Sequence, residues 1–162
     1  MENEFTLYCS SPVGFIEIKG TDKAITSTFF VEEEDRSTDT IPAVLLQCKN
    51  ELDEYFAGKR KDFDVPLAPE GTEFQKQVWK ELLKIGFGNT TSYMAIAKKM
   101  NNPGAVRAVG LANGKNPIGV IIPCHRVIGG DGSLTGYAGG LWRKKWLLDH
   151  EVNASGNAAT LF

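Results

Sequence analysis

The hydrophobic residues of the N-terminal part of the chain fall into three short stretches, separated by turn residues. These stretches, 5–10, 14–20 and 24–30, are rich in β-branched and aromatic residues, and they predict a meander of three strands. The polar and acidic segment that follows is typical of a loop. Pro42 then opens a stretch with apolar residues at helical spacing, which predicts an α-helix that stops at Gly58.

The pattern of the second half predicts helices rather than strands. Thr72 and Gln75 have the spacing of a capping box, in which the two residues serve as N-cap and N3 of one helix. The apolar residues that follow lie on one helical face, and "GFGN" at 86–89 ends the helix. These apolar residues are Phe74, Val78, Leu82 and Ile85.

Two shorter helices are predicted next, joined by a tight turn. Ser92 is expected to cap the first, over 93–100, and Asn102 to cap the second, with Pro103 suited to a first helical position. This arrangement describes a helix-turn-helix, whose second helix enters a DNA groove. A helix pair that only forms a core has the same pattern, so both interpretations stay open.

The C-terminal part contains a glycine-rich segment and a last helix. Residues 129–140 include six glycines in twelve residues and match no phosphate-loop template. The segment is either a flexible surface hairpin or a loop whose backbone approaches a ligand closely. Residues 141–151 predict a helix whose apolar residues are Trp142, Trp146, Leu147 and Leu148.

The chain of 162 residues suits one ordinary domain or two small ones, and a proline-containing segment over 59–71 reads as a linker. We therefore predict an α/β domain over residues 1–66, with a small antiparallel sheet and one helix. A mostly α-helical domain with the helix-turn-helix would follow over 67–155, and a loose tail over 156–162.

The two halves of the chain also differ in net charge. Residues 1–70 carry a net charge of −8 and residues 71–162 a net charge of +6. This asymmetry suggests that the second half faces a polyanion, although a solvated basic surface is the simpler explanation. No run of about 18 apolar residues and no signal-peptide pattern is visible, so we expect a cytoplasmic protein with no membrane partner.

The cysteine set favours neither disulfides nor zinc. There are three cysteines, two histidines and no C-x-x-C motif, so we expect no metal site, and Cys9 and Cys48 are interpreted as buried hydrophobic residues. Cys124 is different, because it stands between a proline and His125 in "IPCHRV", after an apolar run that predicts a buried strand.

A cysteine reacts as a thiolate, and its ordinary pKa of about 8.5 means that it needs a base or a positive field. His125 could supply the base, through a bridging water if the chain is extended there, and Arg126 adds positive charge. Glu151 could orient the imidazole, as an acid does in other cysteine–histidine systems. From the chemistry alone, an inert buried cysteine beside a satisfied histidine is equally compatible.

"IPCHRV", followed by "GDGSLTGYAGGLWRKKWLLDHE", resembles the active-site signature of the O6-alkylguanine-DNA alkyltransferases, also called methylated-DNA–protein-cysteine methyltransferases. The resemblance continues upstream through "FQKQVW", "SYMAIAKKM" and "NPGAVRAVGLANGKNP", and it covers about residues 72–151 without an evident gap. Residues 1–66 fit the variable N-terminal domain of the family in outline. The resemblance implies a ribonuclease-H-like first domain and a winged-helix-like second domain.

The resemblance also implies a reaction and a set of site residues. The protein would transfer the alkyl group from O6-alkylguanine in double-stranded DNA, and O4-alkylthymine as a further candidate, to its own Cys124. It would need no cofactor, would act once and would be a monomer when free. His125 would accept the thiol proton, Glu151 would hold His125, and Asn116 would brace the turn before the active-site strand.

The remaining roles concern DNA. Tyr93 would crowd the phosphate beside the lesion and help to turn the nucleotide out, and Arg107 would fill the vacated stack. The flipped base would be enclosed by Tyr93, Val127, Tyr137 and Ala138, with backbone carbonyls near Cys124 and Val127 reading its edge. The DNA backbone would be contacted by Met94, Asn102 and Gly130.

Two other functions compete with this interpretation. A lesion-sensing protein would bind alkylated DNA without chemistry, and some relatives with tryptophan in place of the cysteine only bind lesions. A cysteine hydrolase of small molecules would turn over repeatedly. The presence of Cys124 argues against the first alternative, and the basic half with its helix-turn-helix argues against the second.

Overall fold

The computed structural model describes residues 3–156, and its contacts divide the chain into two compact units. The first extends through Glu70 and includes Pro117–Gly119, whereas the second contains Gly71–Asn116 and the chain from Val120 onward. The domain boundary between residues 66 and 67 stays a prediction. Beyond Gly156, the predicted tail lies outside the described residues. Within the described part of the chain, no helix is long and apolar enough to cross a membrane.

The first unit is a three-stranded antiparallel sheet packed against one helix, as the pattern predicts. Strands β1 (Phe5–Ser11), β2 (Gly14–Gly20) and β3 (Ile25–Val31) lie in the order β1-β2-β3, and helix α1 spans Ala43–Phe56. The side chains buried by this unit follow the alternation of the strands and one stripe of the helix. They include Cys9, Ile16, Ile18, Ile25, Leu45, Cys48, Leu52 and Tyr55.

Part of the segment predicted as a linker is integrated into this unit. Ile25 donates its backbone N–H to Pro66 (2.8 Å) and accepts one from Ala68 (2.8 Å), so this piece of chain runs parallel to the start of β3. Val65 is buried. The interpretation of residues 59–71 as a simple linker is therefore wrong for 66–68, because these residues satisfy backbone groups of the sheet.

The second unit is mostly helical. Its helices are α2 (Glu73–Leu82), α3 (Tyr93–Lys99), α4 (Val106–Gly114) and α5 (Leu141–Ala154). Two-residue strands, β4 (Thr91–Ser92) and β5 (Val127–Ile128), pair in parallel, and 3₁₀ turns cover Pro103–Ala105 and Cys124–Arg126. The predicted fold class, a small antiparallel sheet with a helix followed by a mostly helical part, is confirmed.

The three predicted cap residues all lie at N-cap positions, and two of them make the side-chain hydrogen bond. Thr72 and Gln75 form the reciprocal capping box, and Ser92 Oγ accepts the backbone N–H of Ala95. Asn102 occupies the N-cap position of the 3₁₀ turn that leads into α4, with Pro103 next to it as predicted, but its side chain makes no cap hydrogen bond. The chain reaches this position through Asn101, whose positive φ of 57° is tolerated by asparagine better than by most residues.

The residues that helix α5 buries differ from those that its sequence pattern predicted. Trp142, predicted among the apolar residues that define the helix, is 58% exposed, and Lys144 is fully buried instead. The reason is the 3.6-residue period: Lys144 lies on the same stripe as Leu147, Leu148 and Glu151, whereas Trp142 lies off that stripe.

Candidate active site

The backbone that leads to Cys124 is a buried series of turns, not the predicted strand. Val120 adopts a φ of +71°, which is costly for a β-branched residue and is incompatible with an extended strand. Cys124 donates its N–H to Ile122 O (2.8 Å) and then opens a 3₁₀ turn over Cys124–Arg126. The expectation that Cys124 and His125 project from an extended chain is therefore wrong, because both lie on one tight turn.

Two amides at the end of α4 hold this turn. Asn116 Nδ2 donates to Ile122 O (2.8 Å), and Asn113 Nδ2 approaches Cys124 O (3.4 Å). Trp79 Nε1 donates to Ala112 O (2.8 Å) and thereby fixes the end of the helix. Asn116, a predicted site residue, thus contacts the segment that was predicted as the active-site strand, whereas Asn113 was not predicted.

His125 and Glu151, predicted as partners, are brought together by the tertiary structure. His125 Nε2 lies 2.6 Å from Glu151 Oε2, and both side chains are buried. Arg126 shares the same carboxylate through Nε (2.7 Å to Oε1) and Nη2 (3.0 Å to Oε2), and its Nη1 donates to Ile85 O (2.6 Å). Arg126 therefore neutralises Glu151 rather than acting directly on the cysteine.

The charges of this cluster determine the state of the imidazole. Burial opposes ionisation of Glu151, but His125 and Arg126 outweigh it and hold the pKa of the carboxyl well below its usual range. Burial lowers the pKa of His125, so the ring is neutral at pH 7. An ionised carboxylate can only accept, so Nε2 carries the proton. Nδ1 keeps its lone pair and has no hydrogen-bond partner among residues 3–156.

The surroundings of the Cys124 thiol act on its pKa in opposite directions. Burial raises its pKa, whereas a hydrogen bond from Asn116 and the charge of Lys144 act in the opposite direction. At rest the group is a thiol, and a neutral imidazole stands next to it in sequence. The arrangement can therefore generate a thiolate by passing a proton to a nearby base.

Lys144 is a buried cation that the sequence analysis missed. Its Nζ donates to Val127 O (2.7 Å) and lies 3.2 Å from Thr135 O and 3.4 Å from Thr135 Oγ1. Burial lowers its pKa to about 8, while Cys124 acts in the opposite sense. A signal was present in the sequence, because Lys144 stands three residues before Leu147 and seven before Glu151 on the helical stripe.

The other predicted site residues surround this centre. Tyr93 begins α3, and its hydroxyl contacts Thr135 Oγ1 in the glycine-rich segment. Tyr137 is partly buried, and burial, together with the nearby Cys124, raises its pKa well above the usual value. Among the remaining predicted site residues, Val127 is buried in β5. The others are exposed, namely Met94, Asn102, Arg107, Gly130 and Ala138.

Comparison with known proteins gives matches over nearly the whole chain. Residues 73–153 match the family model "6-O-methylguanine DNA methyltransferase, DNA binding domain", and residues 5–69 match "6-O-methylguanine DNA methyltransferase, ribonuclease-like domain". A methylated-DNA–protein-cysteine methyltransferase of Methanosarcina mazei is 49% identical over 150 residues, which cover 88% of this chain and 94% of that protein.

Two solved structures are also similar. The O6-methylguanine methyltransferase of Mycobacterium tuberculosis has a TM-score of 0.85 at 43% identity, with 94% of each chain covered. The structure of Mycobacterium tuberculosis OGT in complex with DNA has a TM-score of 0.81 at 46% identity, with 95% of each chain covered. The similarity therefore includes both units of the fold and the turn that holds Cys124.

Proposed function

This chain belongs to the 6-O-methylguanine DNA methyltransferase family, the DNA alkyltransferases that repair O6-alkylguanine, and we propose that it transfers the alkyl group to its own Cys124. The transfer is irreversible, so each molecule acts once. The observation that carries this proposal is the buried Cys124–His125 turn, with Glu151 held against the far nitrogen of the imidazole.

The proposed step needs no cofactor, because the atoms balance between thiol and substrate. The thiol proton leaves for His125 Nδ1, through a bridging water where direct contact is not made. The sulfur then attacks the alkyl carbon, the bond between that carbon and O6 breaks, and its electron pair stays on guanine. A proton returned to the guanine ring completes the step, with a thioether and normal guanine as the products.

Each member of the cluster has a part in this step. Glu151 keeps the imidazole in the tautomer with a free Nδ1 and stabilises the imidazolium that forms. Asn116 and Lys144 favour the thiolate, which offsets part of the cost of burying it. Arg126 keeps Glu151 ionised without taking a proton itself.

Burial of Cys124 supports the proposal that the lesion leaves the duplex. O6 of a stacked guanine lies in the major groove, where a buried thiol cannot reach it, so the nucleotide is turned out at a cost of a few kcal/mol. In our proposal α3 and α4 act as the helix-turn-helix. Tyr93 crowds the phosphate, and Arg107, exposed near the start of α4, fills the gap by stacking.

The flipped base is proposed to lie between Tyr93, Val127, Tyr137 and Ala138, with carbonyls near Cys124 and Val127 reading its edge. Met94, Asn102 and Gly130 are proposed to contact the DNA backbone, which is consistent with their exposure. The net charge of +6 on residues 71–162 favours the same partner. O4-alkylthymine as a second substrate, the monomeric state of the free protein and the cytoplasmic location stay predictions.

Intact-mass analysis after incubation with an O6-methylguanine duplex tests the proposal. We expect a gain of one methyl group per chain, located on the peptide that contains Cys124, and none thereafter when fresh DNA is added. Cys124→Ser should gain no mass, whereas Cys48→Ala, the matched control at another buried cysteine, should react normally. An O4-methylthymine duplex in a parallel arm tests the second substrate.

The competing functions predict different results in the same experiment. A lesion sensor would bind the alkylated duplex without any gain of mass. A hydrolase would demethylate more DNA molecules than there are protein molecules. Either result would contradict the proposal.

A further inference from the structure

The polar side chains of Tyr93 and Lys144 both contact Thr135, which lies in the glycine-rich segment. Thr135 Oγ1 lies 2.5 Å from the hydroxyl of Tyr93, at the start of α3. On its other side, Lys144 Nζ, from α5, lies 3.4 Å from the same Oγ1 and 3.2 Å from the backbone oxygen of Thr135. Since the same nitrogen also bonds to Val127 O at 2.7 Å, the chain of contacts extends to β5.

The direction of these hydrogen bonds follows from what each group can do. An ammonium only donates, so Thr135 Oγ1 is the acceptor towards Lys144. With one lone pair of Thr135 engaged by a cation, its own O–H is best placed to donate to the Tyr93 oxygen. The Tyr93 O–H is then left to donate elsewhere, because its oxygen already accepts.

We propose that Thr135 is a positioning residue, which transmits the charge of Lys144 to the Tyr93 hydroxyl and turns that hydroxyl into a hydrogen-bond donor for the extruded nucleotide. This inference rests on the proposed function, since it adds a hydrogen-bonding role to Tyr93, which that proposal places at the phosphate and beside the flipped base. Thr135 does not contact the reacting atoms in this scheme, and it acts only through Tyr93.

The physical basis is the cooperativity of a hydrogen-bond chain in a low-dielectric site. A hydrogen bond donated to a phenol oxygen polarises the phenol O–H, which strengthens the bond that this O–H donates in turn. Negative charge develops on guanine as the bond between O6 and the alkyl carbon breaks. A donor oriented in advance stabilises that charge in the transition state without reorganisation.

The location of Thr135 also explains why this residue, and not a neighbour, has the role. The segment before it, 130–133, is exposed, and the flanking Gly136 is exposed as well. Lys144 binds both the backbone and the side chain of Thr135, so this residue is anchored where Tyr93 begins its helix. Serine keeps the hydroxyl that the scheme requires, and valine keeps the shape but removes it.

The test is a double-mutant cycle between Thr135 and Tyr93, read as the single-turnover rate of methyl transfer from a saturating O6-methylguanine duplex. We expect Thr135→Val to slow transfer about tenfold, as loss of a charge-assisted hydrogen bond does. Thr135→Ser should stay within about twofold of the parent, because one hydroxyl replaces another. In a Tyr93→Phe background, Thr135→Val should have no further effect, since the hydroxyl it serves is gone.

A purely structural role of Thr135 predicts another pattern. Thr135→Val would then slow transfer by the same factor with and without the Tyr93 hydroxyl, or Thr135→Ser would be as slow as Thr135→Val, and either result overturns the proposal. Thr135→Ala, a second variant without the hydroxyl, replaces Thr135→Val if thermal unfolding shows that valine disrupts the fold. If the parent protein itself gains no methyl group at Cys124, the proposed function fails rather than the role of Thr135.

Discussion

Glu51 and Glu151 are both buried carboxylates in fourteen-residue helices, yet their surroundings differ completely. Glu51, in α1, accepts the backbone N–H groups of Asp64 (2.8 Å) and Val65 (3.1 Å) and the amide of Gln47 (2.8 Å). Glu151, in α5, binds an imidazole and a guanidinium. Its neutral donors give Glu51 the role of holding 64–65 against α1, whereas titratable and charged partners place Glu151 in the proposed active site.

The cysteines of the two units show the same contrast. Burial raises the pKa of Cys9 to about 11 and that of Cys48 further still, and no hydrogen bond contributes to either shift. Cys124 is also buried, but Asn116 and Lys144 counteract part of the effect. Burial therefore favours the protonated thiol in all three cysteines, and the neighbouring polar groups distinguish Cys124, the proposed nucleophile.

The largest effect is expected from replacing the two glutamates separately. Glu151→Gln leaves Arg126 buried without a carboxylate, so the free energy of unfolding should fall by about 3–5 kcal/mol, and alkyl transfer should slow about 100-fold. Glu51→Gln keeps an oxygen for the two backbone donors and should cost only about 1 kcal/mol. Urea unfolding and single-turnover kinetics measure both.

The contrast between the two glutamates would be broken by equal losses of stability. It would also be broken if Glu51→Gln slowed transfer as much as Glu151→Gln does. Glu151→Asp keeps the charge on a shorter side chain, so this variant separates the effect of losing the charge from the effect of changing the geometry.

A second contrast concerns exposed arginines in the two units. Arg107→Ala should slow transfer from duplex DNA about 10- to 100-fold, because the cost of unstacking the base is no longer offset by the inserted guanidinium. Transfer from the free modified base, which needs no extrusion, should change little. Arg36→Ala, at an exposed arginine of the first unit with only an ion pair to Asp39, should leave both rates unchanged. Equal loss on the two substrates would assign Arg107 another role.

Methylation of Cys124 should destabilise the second unit. The added methyl group overpacks a buried turn at a cost of about 1–3 kcal/mol, and loss of the polar sulfur group removes a partner for Asn116. We expect the methylated protein to melt several degrees lower, at about 2–4 °C per kcal/mol for a chain of this size. Calorimetry of mass-verified protein measures this shift, with Cys124→Ser exposed to the same DNA as the control. An unchanged melting temperature would show that the pocket accommodates the product without strain.

The smallest effect is expected from mild acid. Transfer requires a neutral His125, and a pKa lowered by burial keeps the imidazole neutral below the ordinary value of about 6.5. Glu151, with its lowered pKa, stays ionised over the same interval. The transfer rate should therefore change less than about twofold between about pH 7.5 and 6, whereas an imidazole of ordinary pKa would lose most of its neutral form. Single-turnover rates across this interval, with Glu51→Gln as the matched variant, check the expectation.

The sequence by itself determined the local elements of both units. The three strands, the capping box at Thr72 and Gln75 and the serine cap at Ser92 depend on residues close together in the chain, so their periodicity and spacing are visible without the fold. The "IPCHRV" motif was equally visible, and with it the family resemblance and the expected pairing of His125 with Glu151.

Only the tertiary structure decided which groups join His125 and Glu151 in the site. Tyr93 and Thr135 are 42 residues apart, Arg126 and Glu151 are 25 apart, and the contacts of Lys144 with Val127 and Thr135 join separate segments of the chain. The left-handed Val120 and the strand-like pairing of 66–68 were likewise invisible in the sequence, because packing overrode local preference there. The physical reason is that burial and charge pairing depend on contacts between distant segments, and these exist only once the chain has folded.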